Sequence, residues 1–301
     1  LAEEEIMTLT TLNNISFANN MTNPCINTSV RNIPDVSVME NKLNKILEED
    51  KKLDNPVFLF IKDDFISKLV YFLSGCAKRP VSIGIAGETA SGKSTFTMDL
   101  IETIEKFELD YNYSSLITRV NTDDYYYDRS KEVIEAGSFA NFAKNYDLDI
   151  PDAFELDLLK YHVEQLVMGK SVMLPKYDMS GTAIRYDNHI KANPNRIIIS
   201  EGLFNLSNGI NDVFDISIYV DVEREVQKER FYKRAAQRGL GDSAEQVYNN
   251  AVSKAEIYVM PSMNNADIIV SGMADRNDYK YIVNKLLDIF TSIQKEKVLF
   301  N

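Results

Sequence analysis

Nine consecutive residues, Gly87-Glu88-Thr89-Ala90-Ser91-Gly92-Lys93-Ser94-Thr95, satisfy the spacing G-x-x-x-x-G-K-[ST]. They lie between a short apolar run, Val81–Ala86 (VSIGIA), and a segment in which Phe96, Leu100, Ile101, Ile104 and Phe107 share one helical stripe. A strand that ends in glycines and opens a helix turns successive backbone N–H groups around phosphate oxygens, and the helix N-terminus adds partial positive charge. Lys93 then reaches the outer phosphates and Ser94 offers a hydroxyl to Mg²⁺. The whole stretch from Gly87 to Thr95 is therefore expected to bind ATP. Such a site still needs a carboxylate for the metal and a group to receive the phosphoryl.

Glu201 meets the first need. It follows the run 196–200 (RIIIS), whose three consecutive isoleucines mark a central strand buried on both faces, and it stands at that strand's carboxyl end. The second need is met by Asn121-Thr122-Asp123-Asp124-Tyr125-Tyr126-Tyr127-Asp128, directly after the strand candidate 116–120 (LITRV). Open α/β sheets bind ligands at the carboxyl ends of their strands, so this stretch opens on the same side as the phosphate loop. A carboxylate there accepts or orients the proton of an attacking hydroxyl, and the tyrosine rings give an organic acceptor a surface. A GTP-driven switch is disfavoured, because Asn284-Lys285 is followed by Leu-Leu-Asp and no N-K-x-D tetrapeptide reads guanine.

These residues must be placed by alternating strands and helices. Further strand candidates are 216–222 and 267–270, and helical patterns occupy 152–168, 223–237, 243–257 and 277–294. That order predicts a doubly wound, mostly parallel α/β sheet with helices on both faces. All twelve glycines lie at Gly75 or beyond, which sets a compositional boundary near Arg79-Pro80. Before it, residues 10–35 read as an irregular arm. Two amphipathic helices follow, one through Met39, Leu43, Ile46 and Leu47, the other through Phe65, Ile66, Leu69, Phe72 and Leu73, with Pro56 between them.

Composition excludes some classes. With 33 Lys and Arg against 45 Asp and Glu, the net charge of −12 argues against nucleic-acid or anionic-membrane surfaces. No apolar run approaches the roughly 18 residues of a membrane helix. Cys25 and Cys76 are too few for a disulfide framework, and the chain opens LAEEE rather than with a basic-then-apolar leader. A cytoplasmic setting is the expectation.

The motifs occur in an order that resembles the uridine kinase branch of the phosphoribulokinase/uridine kinase family. GETASGKST is followed by TDDYYYD, NYDLDIPDAF, LPKYD, IISEGL, the Arg-rich RFYKRAAQRG and ADIIV, from about residue 81 to about 272. The resemblance implies a P-loop kinase domain over 79–301, with a small β-hairpin subdomain near 171–191 and an Arg-rich lid near 228–242. Residues 1–78 would form an arm and a helical N-terminal extension. Carried over by position, Asp123 is the catalytic carboxylate near a nucleoside 5′-hydroxyl and joins Ser94 and Glu201 in the metal site. Lys93 and Arg234 share the catalytic role. Tyr126 and Tyr177 contact the acceptor. Arg230, Lys233, Arg234 and Arg238 form the lid, with Arg230 and Arg238 over ATP and Arg230 also over the acceptor. The ribose-binding aspartate falls on Asp147 or Asp149, of which Asp149 is nearer PDAF.

Departures from the family pattern concern the acceptor. N-Y-D is followed by Leu-Asp-Ile before the proline, and Y-D-Met-Ser-Gly-Thr-Ala-Ile-Arg lacks the histidine that follows Y-D-F in pyrimidine kinases. His162 falls within a helical pattern and reads as structural, while His189, beyond the hairpin turn, is the one candidate to replace the missing contact. The expected reaction is ATP-dependent phosphorylation of the 5′-hydroxyl of uridine or cytidine. Alternatives are another nucleoside, a pantothenate-like acid or a sugar phosphate as acceptor, or an ATP-binding regulator without efficient catalysis. The resemblance also implies a homo-oligomer, which no residue pattern reads out.

Overall fold

The computed structural model describes residues 36–73, 79–111, 115–143, 145–237, 241 and 244–299. The expected arm, both cysteines, Arg238 and Leu240 lie outside them. The central sheet has six strands: β1 (Phe58–Ile61), β2 (Val81–Ala86), β3 (Ile117–Asn121), β6 (Ile197–Glu201), β7 (Ile216–Asp221) and β8 (Ile268–Ser271), in the order β1-β8-β7-β2-β6-β3. Every pairing is parallel except that of β1 with β8. The parallel register sets Ile85 beside Glu201 and Glu201 beside Asn121, so the strands carrying the phosphate loop, the metal carboxylate and the acidic turn end level with one another.

Alternation along the buried strands divides the core into two layers. Ile85, Ile199, Ile218 and Val220 face one side with Met39, Leu43, Phe65, Phe96 and Ile282. These come from α1 (Val36–Asp50), α2 (Phe65–Leu73), α3 (Lys93–Tyr111) and α9 (Arg276–Leu299). Ala86, Val120, Ile198 and Tyr219 face the other side with Leu159, Val163 and Leu166 of α6 (Leu156–Val167). A covered parallel sheet follows from strands apolar on both faces, as the sequence predicts. The strand boundaries shift by a residue or so: 196–200 becomes Ile197–Glu201, and 267–270 becomes Ile268–Ser271.

Two short helices, α4 (Ser130–Glu135) and α5 (Phe139–Phe142), follow the acidic turn. The hairpin is β4 (Val172–Tyr177) with β5 (Arg185–Ala192), antiparallel and separate from the main sheet. The Arg-rich segment is α7 (Arg224–Gln237), packed on α8 (Ala244–Tyr258) through Phe231 and Tyr248.

Strand β1 is absent from the sequence expectation, because FLFI between Pro56 and the second helix is too short to show a period. Asp50 at the end of α1 holds its start, accepting from the backbone N–H of Val57 and Phe58 at 2.7 and 3.0 Å. Residues on both sides of Arg79-Pro80 share one apolar layer. Leu43, 2% exposed, lies within it. Leu43→Ala is expected to lower unfolding stability by about 2–5 kcal/mol in a denaturant titration, the cost of a core cavity. A helix resting loosely on a finished domain would show a change several-fold smaller.

Candidate active site

The phosphate loop takes its shape from three left-handed backbone positions: Ala90 (φ 61°), Gly92 (φ 103°) and, at the edge of that region, Gly87 (φ 157°). Helix α3 begins at Lys93, so its first-turn N–H groups point at the loop's hollow. The Lys93 ammonium lies back on the loop, donating to the Glu88 carbonyl at 3.3 Å. Burial pulls its pKa below the ordinary lysine range, while Glu201 and Asp123 act the other way.

Opposite the loop, Ser94 Oγ donates to Glu201 Oε1 at 2.9 Å. Among the described residues Glu201 Oε2 is buried without a hydrogen bond, and Arg119 Nη2 lies 3.9 Å from it. A hydroxyl, a carboxylate with one oxygen unspent and the nearby Asp123 make an all-oxygen donor set. That suits Mg²⁺, which uses one or two carboxylates plus phosphate and water. Among the described residues no group of three His, Cys, Asp or Glu is placed to hold a metal ion.

The acidic turn is a 3₁₀ segment, Thr122–Tyr125, at the end of β3. Burial raises the pKa of Asp123 above the usual carboxylate range; Lys93 opposes that shift, and Glu201 and Asp124 add to it. Asp149 is also raised, by burial first and then by Asp147, against the pull of Lys93 and Arg234. Asp147 is engaged elsewhere, paired with Lys254 at 2.9 Å and accepting from the Asn250 side chain at 3.5 Å. Lys93, Asp123, Asp149, Glu201 and Arg234 thus form one electrostatic group at the carboxyl ends of β2, β3 and β6.

Beside that group is an aromatic wall. The Tyr126 ring lies 3.9 Å from Phe154 and 5.1 Å from Tyr177, and its hydroxyl donates to the Leu148 carbonyl at 3.3 Å. Burial, then Asp123 and Asp149, hold the Tyr126 hydroxyl well above its ordinary pKa, so it stays a donor. Tyr177 is buried among Val133, Phe142 and Ala183. Phe154 is a contributor that sequence reasoning passed over, although it ends the quoted PDAF.

Other expected residues have different employment. Glu88 is buried, and its carboxylate is taken by Arg224 at 2.6 Å and Gln227 at 3.0 Å, so its side chain braces the loop against α7. Its contribution to a phosphate site is through its backbone. Arg230 donates to the carbonyls of Ser91 (3.3 Å) and Gly272 (2.9 Å), which makes it a clamp behind the loop. Arg234 reaches Thr89 Oγ1 at 3.5 Å, and Lys233 is exposed. Thr95 is exposed on the first turn of α3. His162 is buried against the Tyr125 hydroxyl at 2.9 Å, a structural role as expected. His189 is exposed on β5 with its ring 5.6 Å from Tyr186.

Gly272 is a second missed residue. A Cβ there would stand 2.0 Å from the Ser91 carbonyl oxygen, so only glycine lets the end of β8 support the loop. Its signal was a glycine directly after an apolar strand.

The matching family, described as Phosphoribulokinase / Uridine kinase family, aligns with residues 82–278, well over half of the chain. The chain belongs to the phosphoribulokinase/uridine kinase family. Membership makes it a phosphotransferase that uses a nucleotide. Similar proteins include a uridine kinase of Clostridium tetani, 34% identical over 198 residues, which span 64% of this chain and 88% of that protein. A uridine kinase of Halobacterium salinarum is 31% identical over 193 residues, 63% of this chain and 79% of the other. Among solved structures, phosphoribulokinase from Rhodobacter spheroides aligns over 65% of this chain and 70% of its own, at 14% identity and a TM-score of 0.48. Among the described residues no helix is long and apolar enough to cross a membrane.

Proposed function

We propose that the chain transfers the γ-phosphoryl group of ATP to the 5′-hydroxyl of a pyrimidine nucleoside, uridine or cytidine, in a cytoplasmic setting. The observation that carries this reading is the junction of charge and aromatic surface. Asp123 and Asp149, which feel Lys93 and Arg234, are also the carboxylates that press on the Tyr126 hydroxyl. A polar organic acceptor seated against Tyr126, which Phe154 and Tyr177 back, therefore meets two carboxylates on its way to the phosphate loop.

Phosphoryl transfer needs placement and charge more than covalent help. Lys93 and the loop N–H groups hold the phosphates. Ser94, Glu201 and Asp123 would hold Mg²⁺, which would supply neutralising charge to the phosphate oxygens. Asp123 accepts the proton of the hydroxyl; burial makes it a stronger base than a free aspartate, and Lys93 opposes that shift. Asp149 takes the ribose hydroxyls, since Asp147 is bound to Lys254. Arg234 covers the phosphates and limits water. The family's oligomers make a homo-oligomer part of this reading.

The test is ADP formation from Mg·ATP with uridine, cytidine, other nucleosides, pantothenate and ribulose 5-phosphate as acceptors. Stimulation by uridine or cytidine well above basal hydrolysis is the expected result. Silence with both, beside a response to another compound, reassigns the acceptor. Silence with the whole panel favours a nucleotide-binding regulator.

A further inference from the structure

Among the described residues no hydrogen bond moors the Asp123 carboxylate, so its place depends on the backbone of the 3₁₀ turn, Thr122–Tyr125, that carries it. Its two neighbours carry the anchors. Asp124 faces the hairpin, accepting from the Tyr177 backbone N–H at 3.2 Å and pairing with Lys176 at 3.0 Å. Thr122, fully buried, faces the sheet, and its hydroxyl donates to Asn205 Oδ1 at 2.7 Å.

Asn205 is the unexpected member. It is wholly buried in the loop after β6, where an unsatisfied amide would cost more than an apolar side chain. Here each end is used: Nδ2 donates to Ser200 Oγ at 3.1 Å and to the Ile85 carbonyl at 3.4 Å. Ile85 stands two residues before the phosphate loop, and its carbonyl also accepts from Gly202 N at 3.0 Å. Gly202 closes the contact, since a Cβ there would lie 2.3 Å from Thr122 Cβ. One amide thus joins the ends of β2 and β6 to the turn that bears Asp123.

We propose that Thr122 and Asn205 are positioning residues, whose hydrogen bond fixes the Asp123 turn against the strands of the phosphate loop and the metal carboxylate. The proposal rests on Asp123 as the group that receives the acceptor's proton. Thr122→Val keeps the shape of the side chain and removes the donor, Thr122→Ser keeps the donor, and Asn205→Ala removes the bridge.

Steady-state kinetics with ATP and uridine test it. Thr122→Val is expected to lower kcat on the order of 10- to 100-fold, as for a misplaced reacting group, with the KM for ATP within about twofold of the parent. Thr122→Ser should restore kcat, and the double variant Thr122→Val/Asn205→Ala should be no slower than the worse single one, because the two act through one bond. Hydrogen exchange gives a readout that needs no acceptor: in Thr122→Val the backbone amides of residues 122–125 should exchange faster than in the parent. A folded Thr122→Val with unchanged kcat and unchanged exchange at 122–125, or failure of serine to rescue, overturns the proposal. Asp123→Asn in the same assay separates the two layers: if it turns over normally the proposed function is lost, and if it is inactive while Thr122→Val is not, the positioning role alone is lost.

Discussion

Asp123→Asn is expected to cut acceptor-dependent ADP formation on the order of 10²–10⁴-fold, the range for losing a general base, while ATP still binds. Asparagine keeps the volume of the side chain but takes no proton. The same substitution should raise the thermal midpoint at neutral pH. The folded protein holds the Asp123 pKa above its unfolded value, chiefly by burial, so the ionised carboxylate weighs against folding. That penalty is absent below the unfolded pKa of roughly 3.9, grows as pH rises from there, and is complete above the folded pKa. Unfolding of parent and variant compared at pH 4 and pH 8 should show the variant's advantage only at the higher pH. In the parent, kcat/KM should fall on the acid side at a pH above the ordinary aspartate range. Full activity in Asp123→Asn would remove Asp123 from the chemistry, and a lower midpoint at pH 8 would contradict the sign of its shift.

Parts of the fold that repeat a period were legible in the chain. Three isoleucines before Glu201 announced a central strand, and VSIGIA before glycines announced the phosphate loop, because burial on both faces leaves nothing else for such residues to do. Ser94 and Glu201, 107 positions apart, were matched from the sequence and lie 2.9 Å apart in the structure. What remained hidden depends on contacts between segments. Four residues of β1 show no alternation of their own; they are a strand because β8 leaves an edge to pair with. Glu88 looked like one more loop position until Arg224 and Gln227, from a helix 136 and 139 residues later, were seen to take its carboxylate. The proposal of Asp149 over Asp147 leans on Lys254 in α8, which pairs with Asp147 and which no local pattern associates with that turn. Asn205 carries no motif; its meaning comes from Thr122, Ser200 and Ile85 meeting it at once.

Lys93→Met is expected to lower kcat/KM for ATP on the order of 10²–10³-fold, as for loss of a fixed donor to developing charge. Methionine has a comparable length and no cation, so the loop keeps its packing while the phosphates lose their mobile positive contact. A second effect follows from coupling. Lys93 is the largest influence holding down the pKa of Asp123, so without it that carboxylate moves further up and the acid limb of the residual activity shifts to higher pH. Stability should move the opposite way to activity. The folded pKa of Lys93 lies below its unfolded value because desolvation outweighs the pull of Glu201 and Asp123, so the charged lysine weighs against folding at every pH below that folded pKa. At pH 7 the Met variant should therefore unfold at a midpoint no lower than the parent's, and the difference should vanish as the pH rises through the unfolded lysine pKa of roughly 10.4. A site that gains stability when its charges are removed is one whose charges are kept for the ligand. Loss of activity accompanied by a lower midpoint at pH 7 would show instead that Lys93 holds the loop together, and would return the phosphate contact to the backbone N–H groups alone.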